Sequence, residues 1–497
     1  MSKFEASDPE VRAKLERWVD LIGPENVITE KKHIEEYVGR NIGEYAKRTV
    51  LAILKPKSRD QLPDIISVSI SGATRVGLFP VSRGKNWGLG SALPVEPDCV
   101  LLDLSGLRSI VDIDYETGLA FIEAGVSQGE LAKAIKGSPF MLNVTASSSE
   151  TSVIGNALER GVGFHRQRDS DLIGIEVALS SGEITRLGGY WPLTEDIRSA
   201  FRYKQGVGVN LASLFFQSNY GIVVAGVISL IRRPERLRVL KLKCSIENLP
   251  RALWVEKSLY QRGLLRSILR IYSPESVSAY GLQRDGSALF CAYGSVEGCN
   301  EIVDTTSKMI LTSTLNAGCF ESVTFIDGLG ESNSSVFERA VVNCFHGDPE
   351  VNNEMINQSF GVENCLLDQR SRVGWISFLL IVPFTPQVIE QVFAAVSAIT
   401  QESNMLAHST MNIISTDAID MVIAVRFKRD VLNTRRAHAV LNALYVRCAQ
   451  LELYPYRLDI DHQAWLKGLY SGSYEKILAR IKHSLDPYDI ISPGRYS

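Results

Sequence analysis

The residues with the plainest chemistry lie in one loop. PVSRGKNWGLGSA occupies residues 80–92 and places three glycines, Gly84, Gly88 and Gly90, within seven positions. Glycine accepts positive φ and lets the backbone come close to a ligand, so successive N–H groups can converge on an anion. Ser82, Asn86 and Ser91 add side-chain donors, and Arg83 and Lys85 add positive charge. A diphosphate suits such a cradle; a polar glycine-rich turn has the same composition. The loop is neither a GxxxxGK motif ending in Ser or Thr nor a GxGxxG opening a helix. A second stretch, residues 147–156, carries Ser147, Ser148, Ser149, Glu150, Thr151, Gly155 and Asn156, with Gly161 and Gly163 beyond it. Small hydroxyl residues and glycines let backbone reach the edge of a flat ligand. Val153 and Ile154 make a wholly solvated loop a poorer fit.

These loops need elements to hold them. Apolar spacing predicts a helix beginning at residue 9, through Val11, Leu15, Trp18, Val19 and Ile22. Strands are expected at 50–54, 77–82, 100–104, 119–123 and 221–231, with helices at 58–71 and 128–136. Residues 237–244 then alternate, and further strands are expected at 268–272, 288–293, 375–382 and 421–427. Helices fall between them at 249–262, 298–315, 386–402 and 434–451. The fold class expected is α+β, with a second block whose sheet is mostly antiparallel.

Composition narrows the function classes. A chain of 497 residues exceeds one small core, and at roughly 150 residues per domain it divides into two or three. A net charge of -3 argues against a nucleic-acid binder relying on bulk positive charge. The eight cysteines form no C-x-x-C pair and the seven histidines no H-x-x-x-H, so no metal site is expected. Scattered cysteines fit the reduced thiols of a cytoplasmic protein. The first residues are charged and lack an apolar signal region. The longest apolar runs, 221–231 and 375–384, fall short of the roughly 20 residues that span a membrane, and no membrane association is expected.

Four ordered motifs carry a resemblance: PVSRGKNWGLGSA, VIGNALERGVGF at 153–164, QSNYGIVVAGVISLIRRP at 217–234 and DPYDIISPGRYS from 486. Together they resemble the vanillyl-alcohol oxidase and para-cresol methylhydroxylase flavoprotein family. That resemblance implies a two-subdomain FAD-binding PCMH-type domain over 1–236, an α+β cap over 237–453, and a segment, 454–497, returning to the FAD domain. It implies cofactor contacts at Ser82, Arg83, Gly84, Lys85, Asn86, Trp87 and Gly88 for the diphosphate. Ser147, Ser148, Ser149, Thr151, Gly155 and Asn156 would lie near the ring or ribityl chain, and Gly161 and Gly163 near the diphosphate or adenosine. Ile222 and Val223 would touch the adenine or ring side, and Arg495 the flavin.

The family's phenol oxidisers carry a Tyr-Arg pair, matched here by Tyr456 and Arg457 in LYPYRLDIDHQAWL. An always-charged guanidinium and a phenol hydroxyl stabilise a phenolate, which gives up benzylic hydride more readily than the phenol. Tyr45 is the candidate for a third tyrosine. His165, in GVGFHRQRD, departs from the family's stretch there and is a candidate base. Asp459 and Asp461 would share a face with Arg457 if that segment is a strand, orienting it or serving as base. The family's covalent attachment positions fall at Ile376 and Leu367, neither of which can bond flavin, so FAD is expected to be non-covalent. Ser147 or Ser148 stands where the alcohol oxidase has its acidic base, with Glu150 nearby. Ile419 and Asp420 replace a pair of cap histidines.

The reading is an FAD-dependent oxidase or dehydrogenase moving hydride from a substrate carbon to flavin N5. The substrate would be a 4-substituted phenol or a specialised biosynthetic molecule, and the acceptor oxygen or an electron-carrier protein. A flavin-linked 2-hydroxy-acid dehydrogenase and a non-redox ligand-binding flavin fold are the alternatives. The resemblance further implies a homodimer or higher homo-oligomer.

Overall fold

The computed structural model describes residues 8–38, 41–85, 87–90, 92–280, 288–329 and 334–496. Its N-terminal part is built on two sheets. In the first, Val50–Leu54, Cys99–Asp103 and Leu78–Val81 run parallel, with the short Val27–Ile28 antiparallel at the edge. Cys99–Asp103 is buried along its whole length, as a central parallel strand demands. Helices Pro9–Ile22 and Leu62–Ile70 cover this sheet through Val11, Trp18, Ile65 and Ile66. The second sheet is antiparallel, in the order Ile110–Asp114, Leu119–Glu123, Ile222–Ser229, Leu172–Ala178, Ile184–Leu187.

The cap is an eight-stranded sheet, antiparallel at every pairing, from Ser322–Asp327 at one edge to Pro455–Arg457 at the other. Alternation along Val373–Pro383 divides its faces. Ile376, Phe378, Leu380 and Val382 enter a core with the helices Leu249–Gln261, Pro386–Ser403 and Val431–Gln450. Trp375 points to the opposite face, towards the N-terminal part.

The return of the chain is made in two steps. Pro455–Arg457 still pairs with the cap sheet, at Leu379 and Leu380. Residues 490–492 then join the first sheet: Leu78 N–H donates to Ile490 O at 2.7 Å and Ser492 N–H to Leu78 O at 2.9 Å. Among the described residues no helix is long and apolar enough to cross a membrane, and no three His, Cys, Asp or Glu side chains are grouped to hold a metal.

Candidate active site: a cofactor cleft under an aromatic cap wall

Where the cap meets the N-terminal sheets, a cavity of about 340 Å³ is walled by both. That volume falls within the range of ligand pockets, roughly 300–1,000 Å³. Its floor is the strand end and loop Pro80–Lys85 with Trp87, and the turn and helix from Thr151 to Glu159. The cap contributes Tyr280, Ile356, Phe360, Leu367 and Trp375; the last part of the chain adds Arg457, Ser492 and Arg495.

Local sequence builds the floor. Ser152 caps the helix Val153–Leu158, its Oγ accepting from Gly155 N–H at 2.9 Å, and Oγ–H donates to Ala124 O at 2.7 Å. Gly84 and Gly88 take φ of 62° and 81°. A Cβ on Gly88 would meet Trp375 at 2.8 Å, and one on Gly155 would meet Ser82 Oγ at 2.5 Å. Thr151 Oγ1 and Asn156 Oδ1 are buried at this wall without a hydrogen-bond partner among the described residues. Orphaned polar atoms of this kind signal a missing ligand. The cradle fits a dinucleotide: Ser82, Gly84, Lys85, Thr151, Gly155 and Asn156 would hold FAD. Gly155→Val, which fills the close approach to Ser82, should lower bound flavin at least tenfold, read as the ratio of visible to ultraviolet absorbance of the soluble protein.

At the far end sits a carboxylate that sequence reasoning missed. Glu159 accepts from Arg457 Nε at 3.1 Å, from Tyr496 Oη at 2.9 Å, and from Arg495. Burial alone would push its carboxyl up, but Arg495, Arg457 and the Tyr496 hydroxyl outweigh that and hold it below the usual carboxylate range. The signal was legible in principle: Glu159 follows the matched GNAL directly and precedes Arg160 and Gly161.

The expected residues divide clearly. Ser82, Arg83, Gly84, Lys85, Trp87, Ser147, Thr151, Gly155, Asn156, Val223, Arg457 and Arg495 line the cavity. Asn86 lies outside the described residues. Arg83 is less free than its type suggests, being paired with Glu130 at 3.1 Å and Glu150 at 3.0 Å. Ser148 and Ser149 bind Asn353 of the cap instead of facing the cavity. Gly88 O accepts from Tyr45 Oη at 2.7 Å and from Ser377 N–H at 3.1 Å, tying the loop to the cap. Gly161 and Gly163 give close approach to the amides of Asn156 and Asn143, and Ile222 is fully buried in its strand.

Five candidates take other places. Tyr45 is buried against His438 with its hydroxyl committed to Gly88 O, so it does not reach the cavity. His165 is no base on this wall. Its Nε2 meets Phe345 O at 2.9 Å, and burial pushes its pKa down to about 4, leaving it neutral. Asp459 is engaged by Tyr445 and His462, and Asp461 by Arg48, so Glu159 orients Arg457 instead. Tyr456 borders a second cavity, of about 510 Å³, together with Arg160, Ile381 and Ile414. The step from Tyr456 to Arg457 thus separates the two spaces. Of the attachment positions, Leu367 lines the main cavity, whereas Ile376 points into the cap core and Trp375 takes the cavity face.

An FAD cradle capped by an aromatic wall defines an FAD-dependent oxidoreductase. Comparison with known proteins agrees: a model described as an FAD binding domain matches residues 50–188. The chain is 26% identical to 1'-carboxy-chondrochloren decarboxylase of Chondromyces crocatus over 90% of each chain. It is 24% identical to the flavoprotein subunit of 4-cresol dehydrogenase (hydroxylating) of Pseudomonas putida, over 98% of this chain and 95% of that one. A solved 4-ethylphenol oxidase from Gulosibacter chungangensis superposes with a TM-score of 0.87 at 19% identity, covering 100% of this chain and 99% of the other. Residues 50–188 thus match an FAD binding domain, and the chain as a whole is similar to PCMH-type flavoproteins.

Proposed function

We propose that this protein oxidises a small 4-substituted phenol, with Arg457 as the cation that receives the phenolic oxygen. The observation that carries this reading is the placement of Arg457. Its Nε–H is spent on Glu159, it lines the cavity, and it shares that cavity with Trp375, Phe360 and Tyr280. A flat aromatic substrate fits such a wall, and a guanidinium fork suits its oxyanion. When bound, FAD supplies the hydride acceptor. The chain supplies position and charge: Glu159 fixes the fork, and the cap side chains exclude water. The domain division at 236 and 453 belongs to the same reading, as does a homo-oligomeric cytoplasmic enzyme passing electrons to oxygen or a carrier protein. One relative's description as a flavoprotein subunit supports the carrier.

A second reading is favoured by Arg457 and Arg495 flanking one cavity and by the decarboxylase relative. The substrate would be a phenol bearing a carboxylate, lost as carbon dioxide during oxidation. One experiment addresses both. Purified protein should show flavin absorbance, and acid precipitation should leave the colour in the supernatant, since neither Leu367 nor Trp375 offers a nucleophile. Anaerobic addition of 4-alkylphenols, or of 4-hydroxyphenyl compounds carrying a carboxylate, should bleach it. Release of carbon dioxide separates the two classes. Failure of every phenol to bleach a fully loaded protein sinks the proposal.

A further inference from the structure

The second cavity, of about 510 Å³, is larger than the cofactor cleft and is used by nothing described so far. Its volume falls within the range of ligand pockets, roughly 300–1,000 Å³. The partition between the two spaces is built from neighbours in sequence. Glu159 lines the cleft and Arg160 the second cavity; Phe215 lines the cleft and Phe216 the second cavity; Arg457 lines the cleft and Tyr456 the second cavity. A ligand of the second cavity is thus held apart from the flavin.

The walls of this cavity divide by polarity. Leu172, Phe216, Ile381, Ile414 and Tyr456 give it aliphatic and aromatic surface, buried or half-buried. Arg160 and Lys204, both exposed, bring two cations to it against one carboxylate, Asp169. None of these three charged side chains forms an ion pair among the described residues.

Arg160 is placed against the preference of its backbone. The helix Val153–Leu158 ends at Glu159, and the next residue takes a φ of 52°. Arg160 N–H donates to Ala157 O and Gly161 N–H to Asn156 O, each at 2.9 Å, which closes the helix end. The left-handed residue of such a closure is usually glycine. Here it is an arginine, and its side chain goes to the second cavity while that of Glu159 goes to the cleft.

We propose that the second cavity binds a small amphipathic organic anion: a carboxylate, sulfonate or phosphate carried on an aromatic or aliphatic body. The body packs on the apolar wall beside Tyr456, and the head group pairs with Arg160 and Lys204. A guanidinium takes such oxygens two at a time, and an ammonium takes them as a point charge. Both features are needed, because an exposed charge pair alone contributes little and the apolar wall supplies the rest. The inference stands whether or not the substrate of the cleft is a phenol.

The test is calorimetric titration of the FAD-loaded protein with naphthalene-2-sulfonate, which carries both features. Saturable binding at one site is expected. Methanesulfonate, the head without the rings, and naphthalene-2-methanol, the rings without the charge, should each bind at least about tenfold more weakly. Lys204→Glu should weaken the sulfonate about tenfold, and Arg160→Gln should weaken it in the same direction. Both replaced side chains are exposed, so the flavin content of the variants should match wild type. Arg457→Ala, which alters the wall of the cleft, should leave the affinity unchanged. Binding kept in Lys204→Glu and Arg160→Gln but lost in Arg457→Ala would put the anion in the cofactor cleft and overturn the proposal. A wild-type protein that takes up the sulfonate no better than the alcohol would overturn it as well.

Discussion

Arg457→Ala should slow anaerobic flavin reduction by the physiological phenol a hundredfold to a thousandfold while leaving flavin content near normal. Removing one preorganised donor from a developing oxyanion costs roughly 2.7–4 kcal/mol in the barrier. The structure explains why the cofactor should stay. Arg495 and Tyr496 still satisfy Glu159 once Arg457 is gone, so the cleft keeps its far wall. Arg457→Lys should recover only part of the rate, since an ammonium cannot hold Glu159 and a substrate oxygen together as the guanidinium fork does. Stopped-flow reduction traces of the three proteins decide it. A wild-type rate in a loaded Arg457→Ala protein would assign the arginine to architecture alone.

The second large effect is on stability. Glu159→Leu leaves two guanidiniums facing each other without their shared counter-charge. Glu159, Arg457 and Arg495 side chains are 14%, 8% and 22% exposed, so water screens them poorly. Breaking a buried ion pair by removing one partner costs about 3–5 kcal/mol. A denaturant midpoint should fall accordingly, and Glu159→Gln, which keeps an acceptor oxygen, should fall less. The pH dependence has a definite sign. Because the folded carboxyl titrates below its unfolded value of 4.5, its stabilisation is present above that pH. It is lost as pH falls through the folded pKa. The gap between wild type and Glu159→Leu should therefore close in acid. A gap that is absent at neutral pH would mean the cluster contributes nothing.

Much of the scaffold was legible because its cores obey simple periods. The apolar run containing Ile222–Ser229 is buried on both faces, and the alternation in Arg236–Cys244 sets one face into the cap. Leu406–Ile413 was not anticipated, because His408, Ser409, Thr410 and Asn412 look like a loop. His408, Ser409 and Asn412 are buried, and the partners of Asn412, Arg270 and Asp420, come from other strands. The cofactor loops were legible from glycine and hydroxyl content, but the use of each side chain was not. Arg83 is drawn to Glu130 and Glu150, and Ser148 to Asn353, by groups distant in sequence. The same cause displaced Tyr45 and His165. Alternation placed Asp459 beside Arg457 only on the assumption of a longer strand, whereas the strand ends at Arg457.

The closure of the cleft by residues 490–496 fixes an order of events in the making of the protein. Arg495 stands 336 residues beyond the Glu159 it grips, and the N-terminal floor emerges first from the ribosome. Until residues 490–495 are made, the first sheet lacks its pairing at Leu78 and Glu159 lacks Arg495, so the far wall of the cleft is the part of the site completed last.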